Sequence, residues 1–163
     1  MDATALSLAG PAIQIHAGSA IFALVLGTIV LLLKKGTRLH KAMGRVWIAT
    51  MVVVALSSFL ITEVRMFGPY SWIHILSLYT LFGVAQGVWF IRRGNVRAHR
   101  GQMIGLYVGA LILAGSFTLL PGRRMHDVVF ADGGQTAALV ATGVAALIAV
   151  TMIVGRRMRR STV

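Results

Sequence analysis

Residues 34–45 read KKGTRLHKAMGR and residues 92–101 read RRGNVRAHRG. Each stretch is basic, passes through a glycine and a small polar residue, and reaches a histidine a few positions on. Around them the chain is apolar, and the pattern predicts helices at about 12–33, 46–64, 72–91, 102–120 and 137–155. Runs of about 18–22 apolar residues can cross a hydrocarbon core about 30 Å thick, so the two basic stretches read as turns between membrane spans. Composition agrees. Hydrophobic residues make up 57% of the chain and charged residues 12%, with mean hydropathy +0.81. That is about half the charge of a water-soluble domain. The expected fold is an all-α integral membrane protein, a single transmembrane domain over 1–163 with five transmembrane helices.

Charge placement sets the expected topology. Of the 16 basic residues, all but Arg65, Arg123 and Arg124 fall in the two quoted turns or in the tail at Arg156, Arg157, Arg159 and Arg160. The positive-inside bias then puts the N-terminus outside and the C-terminus in the cytoplasm. The net charge of +12 thus reads as topology and as attraction for anionic lipid headgroups, not as a nucleic-acid footprint. Trp47, Trp72 and Trp89 are expected at the membrane interfaces. The opening MDATALSLAGPAIQIH lacks a basic region ahead of its apolar run, so the first helix is expected to be retained. With no cysteine, the chain has no disulfide and no thiolate chemistry.

The two stretches echo along their length. At an offset of 58 residues, Lys34-Lys35-Gly36 meets Arg92-Arg93-Gly94, Ser58-Phe59 meets Ser116-Phe117, His16 meets His74 and Ser19 meets Ser77; one residue further on, His40 meets His99. This reads as a duplicated two-helix hairpin, 12–64 and 72–120, forming a four-helix bundle to which the helix at 137–155 is added. Copies with an even number of spans keep the same orientation, related by an axis along the membrane normal. Chance similarity of two apolar hairpins with basic turns is the alternative. The turns have a mechanical reason as well. Gly36 and Gly94 can take the left-handed conformation that ends a helix, and Thr37 and Asn95 can cap the next.

Four of the five histidines then fall at two depths. His16 and His74 lie about one turn inside the outer boundary, and His40 and His99 at the inner rim, about 20 Å away. Pairs of neutral imidazoles on alternate helices are what axial ligation of haem b would need. Arg38, Arg45, Arg93 and Arg97 are placed to meet the propionates of an inner haem, and Arg123 and Arg124 those of an outer one. The plain alternatives are interhelical hydrogen bonds for His16 and His74, with Ser77 or Tyr79 as partners, and solvated side chains for His40 and His99. His126, beside Asp127, reads as a loop residue. Gly101, Gly105 and Gly109 could admit a flat cofactor, though small-xxx-small stripes more often pack helices. The carboxylates Asp2, Glu63, Asp127 and Asp132 all fall outside, which leaves no mid-membrane acidic relay. Gln86 is the strongly polar residue well inside a span, read as an interhelical hydrogen bond or a ligand contact. Met51, Met103 and Met152 sit on separate helices as packing residues, against a copper site.

HKAMGR at 40–45, HR at 99–100 and the histidines at 16 and 74 resemble a family of small bacterial membrane proteins catalogued as a domain of unknown function. That family has a histidine early in helix 1 followed by an H-R-x-x-G-R-like turn. Lys41 stands where it often has arginine. The resemblance covers roughly residues 12–130 and implies a polytopic fold with no established activity. The histidine layout is also similar to that of diheme membrane cytochromes b, in arrangement and not in sequence. The leading expectation is transmembrane electron transfer by a small b-type cytochrome, with haem at His16/His74 and His40/His99. The alternatives are a cofactor-free accessory subunit of a larger membrane complex, and a carrier for a small solute or lipid.

Overall fold

The computed structural model describes residues 9–61 and 71–121, together with His126, Phe130 and Gly143. Among the described residues the structure is entirely helical. Helix α1 spans Pro11–Leu32, α2 Arg38–Ser58, α3 Trp72–Arg92 and α4 Val96–Leu106; the last runs on without a break through a π-helical segment, Tyr107–Leu113, into α5, Ala114–Phe117. Three helices, α1, α2 and Ile73–Arg92 of α3, are long and apolar enough to cross a membrane. The fourth path is of similar length but is divided by the π segment. Apart from Gly143, the predicted helix at 137–155 lies outside the described residues, so five spans stand as an expectation.

The turns have the local structure their residues dictate. Gly36 and Gly94 are at φ 80° and 74°, where a side chain would be strained. Thr37 Oγ1 accepts from the His40 amide at 3.1 Å, and Asn95 Oδ1 from the Ala98 amide at 3.0 Å. The caps read from Thr37 and Asn95 are present, and the second and fourth helices begin at Arg38 and Val96, ahead of the apolar runs at 46 and 102. The polar first turns are helical because a cap satisfies their amides, and hydropathy does not register that. The second helix also stops at Ser58, short of the predicted 64. Thr37→Ala and Asn95→Ala are each expected to cost about 1 kcal/mol, readable as a lower unfolding midpoint in mixed detergent micelles. At the end of α1, Lys35 Nζ donates to the carbonyls of Val30, Leu31 and Leu33 at 2.9, 2.6 and 3.1 Å, satisfying groups that the helix leaves over. Burial, and next the nearby charge of Arg100, hold the Lys35 ammonium below its usual range.

The helices pack as a closed ring. α1 lies against α2, α2 against α3, and α3 against α4, while the π segment returns to α1. α1 and α3 therefore stand on one diagonal, α2 and α4 on the other. The centre is filled by Ala23, Leu26, Trp47, Met51, Val84, Leu106 and Tyr107. Trp47 Nε1 donates to the Ala23 carbonyl at 2.9 Å, and Tyr107 Oη shares a 2.7 Å hydrogen bond with Thr28 Oγ1. Both rings press on Gly27, where a Cβ would fall 2.6 Å from Trp47 Nε1 and 2.7 Å from Tyr107 Cδ2. Within a bilayer, packing and interhelical hydrogen bonds hold such a layer together, since lipid tails are as apolar as leucine. Trp47, expected at the interface, is thus a core residue 4% exposed, whereas Trp89 is 53% exposed. Met51 is fully buried and Met103 packs on Gly87, as packing residues should.

Candidate functional site

The outer histidines meet the same short stretch of α2. His16 Nδ1 lies 3.0 Å from the Val54 carbonyl and 3.1 Å from Ser57 Oγ. A carbonyl only accepts, so the neutral ring carries its proton on Nδ1 and keeps a lone pair on Nε2. His74 is buried, with its ring 5.7 Å from that of Phe59. One turn below, Ser77 Oγ pairs with Ser58 Oγ at 2.5 Å. Residues 54–59, the last turn of α2 and its C-cap, thus bring His16 and His74 to one depth. Their chemistry differs, however. His74 Nδ1 accepts the Ser71 amide at 3.0 Å, closing the first turn of α3. An amide only donates, so neutral His74 carries its proton on Nε2. The interhelical bond expected of this pair is made by His16, with Val54 and Ser57 in place of Ser77 or Tyr79.

At the inner level, His99 Nδ1 donates to the Gly87 carbonyl of α3 at 2.8 Å, which leaves its Nε2 with a lone pair. His40 Nδ1 is buried with no hydrogen-bond partner among the described residues. Lys35, the Val30 carbonyl and His99 all lie close enough to act on the His40 ring electrostatically. The structure thus brings His40 and His99 into one neighbourhood, with Lys35 and Arg100 beside them. His40 and Val54 are 14 residues apart on α2, so the two levels are separated by about 21 Å along that helix. Trp47 and Tyr107 lie about 11 Å from the inner level by the same rise, and the packed layer therefore falls between the levels. Gly44 and Gly101 near the inner level, and Gly18 near the outer, would have nothing within 4 Å of a Cβ.

Other singled-out residues sort as follows. Arg38, Arg45, Arg93 and Arg97 lie at the inner end, with Arg93 stacked over the Trp89 ring at 5.3 Å from its centroid. Arg123, Arg124 and the four carboxylates lie outside the described residues. His126 Nδ1 donates to the Leu119 carbonyl at 3.0 Å and stacks on Phe130 at 4.4 Å between centroids. Gln86 makes no hydrogen bond among the described residues, contrary to the interhelical bond expected of it. Gly105 and Gly109 likewise have nothing within 4 Å of a Cβ. The π segment carrying Tyr107 was missed. Its only trace in sequence is a tyrosine in an apolar run, and π-helical turns have no composition of their own.

The family described as "Predicted membrane protein (DUF2306)" matches residues 13–155. The chain belongs to this family. Membership and the three apolar helices make the DUF2306 chain an integral membrane protein. The family carries no assigned activity, so the expected resemblance holds without supplying a reaction. No curated protein and no solved structure showed significant similarity to the DUF2306 chain.

Proposed function

We propose that the protein is a small b-type membrane cytochrome that moves electrons across a bacterial inner membrane, N-terminus outside and C-terminus inside. The observation that supports this reading is the closed ring with histidines at two depths, each pair on helices that face each other across a diagonal. Haem, when bound, supplies a reversible one-electron couple; everything else falls to the chain. At the inner level His40 and His99 would hold the haem iron. His99 is oriented by its bond to the Gly87 carbonyl, the kind of outer-shell contact that fixes a ligating tautomer. His40 has a buried ring nitrogen awaiting a partner. Arg38, Arg45, Arg93 and Arg97 supply positive charge for propionates at that rim.

The outer level fits in half. His16 has the ligating tautomer, whereas His74 has its Nδ1 committed to the Ser71 amide. Ligation through His74 Nε2 would require that bond to be given up and the ring proton moved. The proposal is therefore carried by His40 and His99, and a second haem at His16 and His74 entails rearrangement at the start of α3. The layer of Trp47, Met51, Leu106 and Tyr107 excludes water between the levels.

A second reading, a cofactor-free subunit of a larger membrane complex, is favoured by the capping role of His74 and the filled central layer. Difference spectra distinguish the two. Protein produced with ample haem and purified in mild detergent is expected to show sharp reduced-minus-oxidised bands. A folded but colourless product would favour the second reading.

A further inference from the structure

Along α3, one outward row of residues runs Ile75, Tyr79, Phe82, Gln86, Trp89 and Arg93, at spacings that alternate between four and three. That alternation averages 3.5 residues, the repeat with which two parallel helices keep a single seam in contact at a crossing angle of about 20°. Ile75, Tyr79, Phe82 and Trp89 are 53%, 52%, 65% and 53% exposed, so no described helix covers the row. Gln86 stands in its inner half, partly exposed and without a hydrogen bond among the described residues. Acyl chains neither donate nor accept, so a carboxamide at this depth is left unsatisfied by lipid alone.

We propose that this row packs against the same row of a second copy of the chain, with the two Gln86 carboxamides hydrogen-bonded across a twofold axis along the membrane normal. Two copies inserted the same way run parallel, and a parallel seam in register sets each residue opposite its own counterpart. A carboxamide suits that position because it both donates and accepts, and so satisfies itself. One polar residue within an apolar seam also fixes the register of the pair. Arg93 ends the row at its inner end and stacks over the Trp89 ring. The proposal is independent of any bound haem.

The chain has no cysteine, so single-cysteine variants in native membranes read the seam directly. Under mild oxidation, Tyr79→Cys, Phe82→Cys and Trp89→Cys are expected to give at least fivefold more disulfide-linked dimer than Val53→Cys, which lies on an exposed face of α2. Adding Gln86→Leu to Phe82→Cys is expected to lower the dimer fraction about fivefold, while Gln86→Asn keeps most of it. Cross-linking at the row no greater than at Val53→Cys would overturn the proposal, whether residues 122–163 or another membrane protein covers it. A dimer fraction unchanged by Gln86→Leu would equally overturn the role assigned to the carboxamide.

Discussion

Replacing His99 with alanine is expected to remove the inner haem while leaving the bundle folded. The ring is half of the proposed ligand pair, and its loss deletes an iron–nitrogen bond outright. Deleting even an outer-shell partner of a metal ligand typically costs 10–100-fold in affinity, so removing a ligand is expected to cost about 100-fold or more. His40→Ala is expected to do the same. Haem-to-protein ratio after purification measures both. His99→Ala also gives up the bond to the Gly87 carbonyl, a loss of about 1 kcal/mol, while the turn itself is held by the Asn95 cap and Gly94. His74→Ala is different in kind. It removes the acceptor of the Ser71 amide and is expected to lower the unfolding midpoint whether or not haem is present. A ratio equal to that of the unaltered protein in both His40→Ala and His99→Ala would contradict the inner site.

The second large effect concerns the layer between the histidine levels. Gly27→Leu is expected to destabilise the bundle by about 3 kcal/mol or more, at or above the upper end for overpacking a filled core. The first added carbon alone would lie 2.6 Å from Trp47 Nε1 and 2.7 Å from Tyr107 Cδ2. Neither ring has freedom to retreat, since Trp47 is tied to the Ala23 carbonyl and Tyr107 to Thr28. A Cβ at Gly18 on the same helix would meet nothing within 4 Å, which leaves room for Gly18→Leu. It is expected to shift stability by no more than about 0.5 kcal/mol, as substitutions at open sites do. Unfolding in mixed detergent micelles compares the two directly. Equal midpoints would show that the layer yields where the geometry says it cannot.

How much of this was legible beforehand follows from what each residue type signals. The turns read well because Gly36, Thr37, Gly94 and Asn95 carry backbone instructions that need no partner. The histidine depths read well because helical rise converts sequence spacing into distance. The apolar runs alone began eight and six residues after the starts of α2 and α4, which the caps marked correctly, because hydropathy sees charge and misses a cap. Trp47 was misread because interfacial and core tryptophans look alike until a neighbouring carbonyl, here that of Ala23, takes the indole proton. The unlike roles of His16 and His74 were invisible for a related reason. Both fall at matching places 58 residues apart, yet one ring proton is set by a carbonyl of another helix and the other by the amide of its own helix's cap. Periodicity carries no information on tautomers. Gln86 was recognised as polar within a span, but its outward position appeared only once Gly83, Val84 and Gly87 were seen facing inward.

The central claim, electron transfer across the bilayer through paired histidines, is tested most directly in sealed liposomes. Ferricyanide is trapped inside, a membrane-impermeant reductant is added outside, and the interior is followed by its absorbance. Vesicles carrying the haem-loaded protein are expected to reduce the trapped acceptor at least tenfold faster than empty vesicles, and His99→Ala vesicles no faster than empty ones. Folded protein that accepts no haem, or loaded protein whose vesicles match the empty control, would contradict the account.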